Sequence, residues 1–338
     1  MASNGSSTVP VLVFVGPTAS GKTDLLLELA SGKTFPGMSP IEVVSADSMQ
    51  AYRGMDIGTA KPGPEELRRL PHRLIDIREP DEQYTVGDFV HLADEACAGI
   101  AAAGRLPVVS GGTGFYVRNF IFGLPSAPAA SPEVRQAVAR DLEARGPEVL
   151  RAELEAGDPE SAARIHANDV YRLTRAVEIL RATGRPMAEF AASSSPRDCY
   201  RFLLVELTRP RGELWRRIDA RVDAMFARGL ASEVADLAVR GFDPEAPGMK
   251  AIGYREFFFN HVDPEEGSAS AASGLREFSR EGLAAISDAI KLDTRQYAKR
   301  QETFFRGLPD LVRLEVEGSK GFAAAAERLR GLLATFLG

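Results

Sequence analysis

The octapeptide GPTASGKT at 16–23 constrains the fold more than any other segment, because it fits the pattern G-x-x-x-x-G-K-[ST] in full. The apolar, β-branched run at 11–15 before it is typical of a buried strand, and the pattern at 25–30 after it is typical of a helix. A strand, such a loop and a helix in that order are the context of a P-loop. The sequence therefore predicts a phosphate-binding loop at the carboxyl end of a buried strand.

The residue types of this loop explain how it would hold phosphates. Glycines let successive backbone N–H groups turn inward around phosphate oxygens, and the helix start adds the positive end of a dipole. Lys22 supplies a mobile positive charge, and the Thr23 hydroxyl is a candidate ligand of Mg²⁺. The loop is typical of nucleotide-binding and ATP-binding proteins, but the motif itself requires only a diphosphate or polyphosphate. The predicted diphosphate-binding residues are Gly16, Pro17, Thr18, Ala19, Ser20, Gly21, Lys22 and Thr23.

Strand and helix patterns alternate over residues 1–125, with further strands at 42–46 and 106–110 and a long helix at 85–103. This alternation predicts an α/β fold, a P-loop NTPase-like parallel sheet flanked by helices on both faces. Three polar or glycine-rich segments, at 16–23, 47–50 and 111–114, directly follow strands. Because ligands of such sheets bind at the carboxyl ends of the strands, we expect the three segments to converge on one site.

The segments after the second and third strands contain the candidate reactive side chains. Asp47 has three interpretations: a metal ligand, a general base or a solvated loop residue. Its neighbours Ser48 and Gln50 are suited to reading the edge of a base, which favours a functional role. The glycines of the sequence GGTG at 111–114 are as readily explained by a tight turn as by ligand binding, and Thr113 is the side chain there that could reach a ligand.

The middle of the chain has a different character. A breaker-rich linker at 125–132 precedes a stretch that reads as all-helical up to about Gly184, and strand character returns at 201–207. We therefore predict a P-loop core in two parts, 1–125 and 198–338, with a helical insertion at 126–197. Asn168 is the predicted N-cap of a helix in the insertion, and Arg172 and Arg175 lie opposite its apolar stripe.

A second basic helix face is predicted near the end of the chain. In the helix at 283–306, the charged side comprises Lys291, Arg295, Lys299 and Arg306. A basic face is most often only solvated surface. Two such faces in a protein with a phosphate loop nevertheless favour a polyanionic second substrate. A loop of small residues at 267–274 precedes this helix.

Composition and charge exclude several other classes of protein. A net charge of −6 counts against a generally basic nucleic-acid-binding protein, so any RNA-binding surface must be local. Two distant cysteines and four scattered histidines offer no disulfide framework and no zinc site, and the histidines read as structural or surface residues. No apolar run approaches the ~20 residues of a membrane helix. Residues 1–10 read as a frayed tail, and we expect a cytoplasmic monomer without membrane contact.

Motifs over residues 11–306 resemble the tRNA dimethylallyltransferase family, also called IPP transferases. They are GPTASGKT at 16–23, SADSMQAYRGMDIGTAKP at 45–62, PHRLIDIREPDEQYTVGDF at 71–89, SGGTGFYVRNFIFGL at 110–124, IHANDVYRLTRAVEI at 165–179, RIDARVDAMFARGLASEV at 217–234, KAIGYREF at 250–257 and DTRQYAKRQETFFRG at 293–307. Single matches of this kind are weak evidence, but eight in the family's order are specific. The chain lacks the C-terminal zinc finger of some eukaryotic relatives and resembles the shorter bacterial form.

The resemblance implies transfer of a dimethylallyl group from dimethylallyl diphosphate to the N6 amine of the adenine 3′ to the anticodon of tRNA. It implies that the P-loop holds the diphosphate with Mg²⁺, that Asp47 is the general base, that Thr113 lies near the reacting centre and that Arg221 points at the diphosphate. It also implies that the helical insertion contacts the anticodon stem. The segments that match tRNA contacts in the family comprise Asp47, Ser48, Met49, Gln50, Tyr171, Arg172, Leu173, Thr174, Arg175, Lys250, Ala251, Ile252, Gly253, Tyr254 and Arg255.

Three other functions compete with this interpretation. An adenylate isopentenyltransferase would run the same chemistry on a free nucleotide, but a free nucleotide requires no arginine-bearing insertion. A small-molecule P-loop kinase would need an arginine-rich lid, which the sequence near the P-loop does not provide. An RNA-binding module without catalysis would not require a complete phosphate loop.

Overall fold

The computed structural model describes residues 8–31, 40–259 and 279–338. The described residues form two compact units, one from Phe122–Arg197 and the other from the parts of the chain on either side of it. The predicted insertion began at 126, whereas the compact unit begins four residues earlier. Residues 1–7 of the predicted tail, the small-residue loop at 267–274 and His261 lie outside the described residues. The prediction of a tail up to residue 10 is wrong at its end, because Val9 and Pro10 pair with the neighbouring strand as the first residues of a β-strand.

A parallel sheet of six strands forms the centre of the larger unit, in the order β3-β2-β4-β1-β5-β6. Its strands are β1 (Val9–Val15), β2 (Ile41–Ser45), β3 (His72–Arg73), β4 (Leu106–Gly111), β5 (Tyr200–Thr208) and β6 (Val312–Glu315). The predicted α/β fold with a P-loop-type parallel sheet is confirmed. The residues from Val11 to Val15 are 0% exposed, as the continuous apolar run predicted for a strand covered on both faces.

Helices cover the sheet. In the larger unit they are α1 (Lys22–Ser31), α2 (Pro64–Arg69), α3 (Val86–Ala102), α4 (Gly114–Phe122, ending in the other unit), α9 (Arg211–Ala227), α10 (Leu230–Val239), α11 (Glu256–Phe259), α12 (Arg280–Phe305) and α13 (Gly318–Leu337). Residues of α1 and α13 pack on β1, β2 and β5 in one apolar core. No helix in the described parts of the chain is long and apolar enough to cross a membrane.

The smaller unit contains α5 (Pro132–Arg145), α6 (Pro147–Gly157), α7 (Pro159–Arg164), α8 (Val170–Thr183) and a 3₁₀ turn at Met187–Phe190. Buried side chains of α5, α6 and α8, among them Val138, Leu150 and Val177, form its own apolar core. Arg181 on α8 bonds to Asp141 on α5 at 2.7 Å and to Glu153 on α6 at 2.6 Å. These contacts give the unit a core and a set of ion pairs independent of the sheet.

Two details of the helices differ from the sequence prediction. The N-cap of α8 is Asp169 and not Asn168, because the Asp169 carboxylate accepts the backbone N–H of Arg172 at 3.1 Å. The basic side of α12 is not simply solvated surface. Lys291 pairs with Asp223, and Arg295 pairs with Asp219, both acidic residues of α9. Much of that positive charge is therefore neutralised within the protein.

Candidate functional site

The P-loop between β1 and α1 has the backbone conformation that its sequence requires. Gly16 and Gly21 adopt φ values of 153° and 97°, which side chains rarely tolerate. Two arginines of the α9 region hold the loop in place: Arg209 donates to the Ser20 carbonyl at 2.6 Å and Arg217 to the Ala19 carbonyl at 2.8 Å. Sequence analysis predicted neither of these contacts, because each arginine and its partner are almost 200 residues apart.

A cavity of about 480 Å³ lies next to the P-loop, between it and residues that follow β2 and β4. Of the eight residues predicted to bind diphosphate, Thr18, Ala19, Gly21, Lys22 and Thr23 line it. Gly16, Pro17 and Ser20 are not among its lining residues. Ser20 is fully buried, and its N–H donates to the Pro17 carbonyl at 3.2 Å. These three residues shape the loop, and their contact with the ligand stays a prediction.

Among the described residues, the charged groups that line this cavity are three cations, Lys22, Arg217 and Arg221, and two carboxylates, Asp24 and Asp47. Lys22 and Arg221 both line it, and the Lys22 ammonium donates to the Gly16 and Pro17 carbonyls at 2.9 and 3.0 Å. Burial and the nearby Arg221 guanidinium lower the pKa of Lys22 to about 8, although Asp47 acts in the opposite direction. Burial also lowers the pKa of Arg221, again opposed by Asp47. Two crowded cations that one carboxylate compensates only in part form a wall suited to a multiply charged anion.

Asp47 follows β2 and is held by the turn that it begins. Its Oδ1 accepts the Met49 N–H at 2.9 Å, as in an Asx-turn. Among the described residues no hydrogen bond occupies Oδ2, so this oxygen remains available as an acceptor. Thr113 holds the flanking backbone: its N–H donates to the Ala46 carbonyl at 3.1 Å, and its hydroxyl accepts the Ser48 N–H at 3.0 Å. The structure thus brings the predicted residues Asp47 and Thr113 together.

The glycines beside Thr113 are explained by neighbouring atoms that approach too closely to leave room for a Cβ atom. A Cβ on Gly111 would collide with the Ala46 carbonyl, and one on Gly114 with the ring of Phe304. The side chain of Gln301, also on α12, leaves no room for a Cβ on Gly112. Of the two interpretations of this loop, the steric one therefore accounts for its glycines, while Thr113 supplies the polar side chain.

A second cavity, of about 350 Å³, adjoins the first. Thr18, Asp47, Arg221 and Tyr297 line both, so this group forms the boundary between them. The remaining lining of the second cavity is mostly apolar, from Met49, Ile218, Val222, Met225, Ala251, Ile252 and Ile290. Burial raises the pKa of Tyr297 to about 12, and nearby Asp47 adds to the shift, so its hydroxyl stays protonated at neutral pH. The first cavity is lined by the P-loop and by cations, the second is largely apolar, and Asp47 lines both.

The predicted tRNA-contacting segments 47–50 and 250–255 meet at the second cavity, whose lining includes Asp47, Ser48, Met49, Ala251, Ile252 and Arg255. Gln50 lies in the first cavity and accepts the Ser45 hydroxyl at 3.2 Å. Lys250 is exposed and pairs with Glu245, and Gly253 adopts a positive φ of 98°. Tyr254 is 0% exposed, so its side chain is a core residue and not a contact for RNA.

Glu233 on α10 is a further residue that sequence analysis missed. Its carboxylate accepts three successive backbone N–H groups, from Asp56, Ile57 and Gly58, at 2.7–3.1 Å, and the Tyr254 hydroxyl at 2.6 Å. Gly58 and Thr59 line the second cavity. Glu233 therefore fixes the segment that closes this cavity, through contacts that no local pattern reveals.

In the smaller unit, the segment 171–175 has a mixed character. Tyr171 is 83% exposed, and the Arg172 side chain is 72% exposed and 3.3 Å from Asp169. Arg175 is more restrained, since it bonds to Glu178 and to the Pro128 carbonyl. Thr174 donates to the Val170 carbonyl, and Leu173 is 0% exposed in the core. Leu173 must therefore be removed from the predicted RNA contacts.

The metal prediction rests on one residue. Thr23 lines the first cavity, and its hydroxyl stays the predicted ligand of a cation bound to phosphate oxygens. Within the described ranges no group of three or more His, Cys, Asp or Glu residues could hold a metal ion. Such a site fits Mg²⁺, which keeps waters and substrate oxygens as ligands, better than it fits zinc. His72, predicted to be a structural or surface residue, lines the first cavity and bonds to the Leu70 carbonyl at 2.7 Å.

Comparisons with known proteins show which family the chain resembles. The model of the family described as IPP transferase matches residues 50–308. A tRNA dimethylallyltransferase from Symbiobacterium thermophilum is 42% identical over 331 residues, covering 96% of this chain and 95% of its own length. A solved tRNA isopentenylpyrophosphate transferase from Bacillus halodurans is 34% identical, with a TM-score of 0.63 and 97% of each chain covered. A solved eukaryotic dimethylallyltransferase acting on tRNA is 27% identical, with a TM-score of 0.77 and coverage of 95% and 77%.

Proposed function

Since the chain belongs to the IPP transferase family, we propose that it transfers the dimethylallyl group of dimethylallyl diphosphate to the N6 amine of an adenine in tRNA. The acceptor is the adenine adjacent to the anticodon on its 3′ side, and diphosphate is released. The observation that carries the proposal is the pair of cavities that share Asp47, because one suits a diphosphate and the other a flat base with apolar ring faces.

The donor occupies the first cavity. Backbone N–H groups of the P-loop, Lys22, Arg217 and Arg221 surround its diphosphate. These groups act as C1–O bond cleavage leaves the electron pair on the diphosphate, and fixed donors aimed at developing charge are worth most in a partly desolvated site. Mg²⁺, with Thr23 as its protein ligand, would neutralise part of the same charge.

The acceptor adenine occupies the second cavity, between the segments 47–50 and 250–255. A base in an anticodon loop leaves its stack at a low cost in free energy, so binding in this cavity can compensate for the unstacking. The N6 amine is a poor nucleophile because its lone pair is delocalised into the ring. As N6 forms its bond to C1, Asp47 Oδ2 takes one amine proton, a contribution of roughly 10²–10⁴-fold in rate.

Thr113 and the turn at 47–50 position Asp47, while Tyr297 and Arg221 close the boundary around the reacting atoms. We further propose that Arg172 and Arg175 in the smaller unit contact the anticodon stem, as polyanion binding requires local positive charge. A cytoplasmic monomer accords with this activity, and gel filtration tests the monomeric state.

Ligand preference tests the proposal against its rivals. Dimethylallyl diphosphate with Mg²⁺ should raise the melting temperature more than ATP with Mg²⁺ at equal concentration, since only the favoured ligand saturates the site. Stronger protection by ATP, together with ATP turnover, would favour a kinase. Unmodified tRNA and AMP should then be compared as acceptors. Transfer to AMP and not to tRNA would instead identify an adenylate isopentenyltransferase.

A further inference from the structure

Gln301 on α12 connects loops that follow two different strands. Its side chain is buried, with 4% of the residue exposed. Its Oε1 accepts the Thr18 N–H of the P-loop at 2.8 Å, and its Nε2 donates to the Gly112 carbonyl at 2.8 Å. The P-loop follows β1 and Gly112 follows β4, so both polar atoms of one amide join the phosphate loop to the glycine loop. A residue that only filled space would not need either atom.

The glycine loop is shaped to admit this side chain. A Cβ on Gly112 would overlap Gln301 Nε2. One helical turn before Gln301, the Tyr297 hydroxyl approaches the same Gly112 carbonyl at 3.4 Å. The contact is therefore made by a face of α12, with Gln301 at the point of closest approach.

From Gly112 the connection continues to Asp47. The next residue, Thr113, bonds to the Ala46 carbonyl and the Ser48 N–H, which belong to the two residues flanking Asp47. Any shift of the glycine loop relative to the P-loop would move Asp47 relative to the diphosphate. Displacements of about 1 Å between reacting groups cost roughly 100-fold in rate, so this distance must be held.

We propose that Gln301 is a positioning residue that fixes the spacing between the diphosphate-binding loop and Asp47. The inference rests on the proposed transferase function. Both halves of the amide are needed, an acceptor for Thr18 and a donor for Gly112. The side chain lines the first cavity, but both of its polar atoms are engaged by the two loops, so it acts through Thr18 and through Thr113.

Two substitutions separate this role from packing. Gln301→Met fills a similar volume without either hydrogen bond, and its single-turnover rate with saturating substrates should fall roughly 10- to 100-fold. Gln301→Glu keeps the acceptor for Thr18 but, when ionised, cannot donate to Gly112. When protonated, its carboxyl group restores a donor. Burial raises the pKa of a carboxyl group, so this titration lies within a measurable range.

The test is the ratio of each variant's single-turnover rate to that of the wild type, measured from about pH 9 to about pH 6. The ratio for Gln301→Glu should approach one as pH falls, whereas the ratio for Gln301→Met should stay low and flat. Other ionisable groups facing the same cavity are present in all the proteins, and the flat ratio expected for Gln301→Met shows whether they contribute; they are Lys22, Asp24, Asp47, His72, Arg217, Arg221 and Tyr297. Ile286→Val, at a buried position on α12 outside both cavities, is the control for loosened packing.

Equal rates for Gln301→Met and Ile286→Val, or a pH-independent ratio for Gln301→Glu, would overturn the inference. The Glu variant alone suffices if the Met variant does not fold. Absence of transfer by the wild-type protein would instead refute the proposed function, so the two failures are distinguishable.

Discussion

Lys22 gives the most quantitative prediction, because its charge state in the unliganded protein can be stated. Burial and the Arg221 charge lower its pKa to about 8, so the ammonium has lost its proton in half of the molecules near pH 8. Binding of a diphosphate favours the charged form. Affinity is therefore highest at pH values well below 8 and declines as pH rises through that value.

The size of the effect follows from the fraction of Lys22 that is protonated. With a pKa of about 8, this fraction falls from about nine-tenths at pH 7 to about one-tenth at pH 9. The dissociation constant of dimethylallyl diphosphate should thus rise about tenfold between these values, equivalent to ~1.4 kcal/mol. Isothermal titration calorimetry without tRNA measures the constant directly, since the donor is not consumed.

Lys22→Arg is the matched control. The guanidinium remains charged over this range, so the variant should bind more weakly or equally but with little dependence on pH. Any titration of the ligand itself affects both proteins alike and cancels between them. If Lys22→Arg shows the same tenfold change, or if the wild type shows none, the electrostatic account of the phosphate loop is wrong.

Three further predictions address the base, the insertion and the second cavity. Asp47→Asn should lower kcat roughly 10²–10⁴-fold with the affinity for dimethylallyl diphosphate nearly unchanged; rescue of single-turnover rate by added Mg²⁺ would identify a metal ligand instead. Arg172→Glu should raise the KM for tRNA more than Arg175→Glu, because Arg175 is already held by neighbours, and should leave the KM for the donor unaffected; unchanged tRNA binding would make both ordinary surface residues. Glu233→Ala removes the acceptor of three backbone N–H groups, so urea unfolding should show at least ~1 kcal/mol lower stability; unaltered stability would contradict this role.

The parts of the site that sequence analysis predicted are those encoded within a few residues. The P-loop is a continuous motif, and Asp47 and Thr113 each lie directly after a strand. The position of a residue at a strand end is enough to place it, because parallel strands end at a common edge. The predicted roles of these residues remain predictions, while their proximity is now seen in the structure.

The parts that it missed depend on contacts between distant segments. Gln301 and Thr18 are separated by 283 positions, and Arg217 and Ala19 by 198. No local pattern marks a glutamine as a bridge between loops. For the same reason, the periodicity of α12 revealed its basic side but not the acidic residues of α9 that pair with it.

The match of whole segments to the family also assigned tRNA contacts to too many residues. Leu173 and Tyr254 lie within stretches that resemble tRNA contacts, yet both side chains are fully buried. A short helical or turn segment presents only some of its residues to a ligand. Exposure in the folded chain is needed to decide which ones.

The central claim is tested most directly by following the transferred group. The protein should be incubated with unmodified tRNA, Mg²⁺ and dimethylallyl diphosphate labelled in the dimethylallyl group, and the tRNA then digested to nucleosides. The account predicts label in N6-dimethylallyladenosine from the position 3′ to the anticodon, with release of diphosphate in equal amount. Unlabelled tRNA in the presence of a folded protein that binds the donor, or label on any atom other than N6 of that adenine, would contradict it.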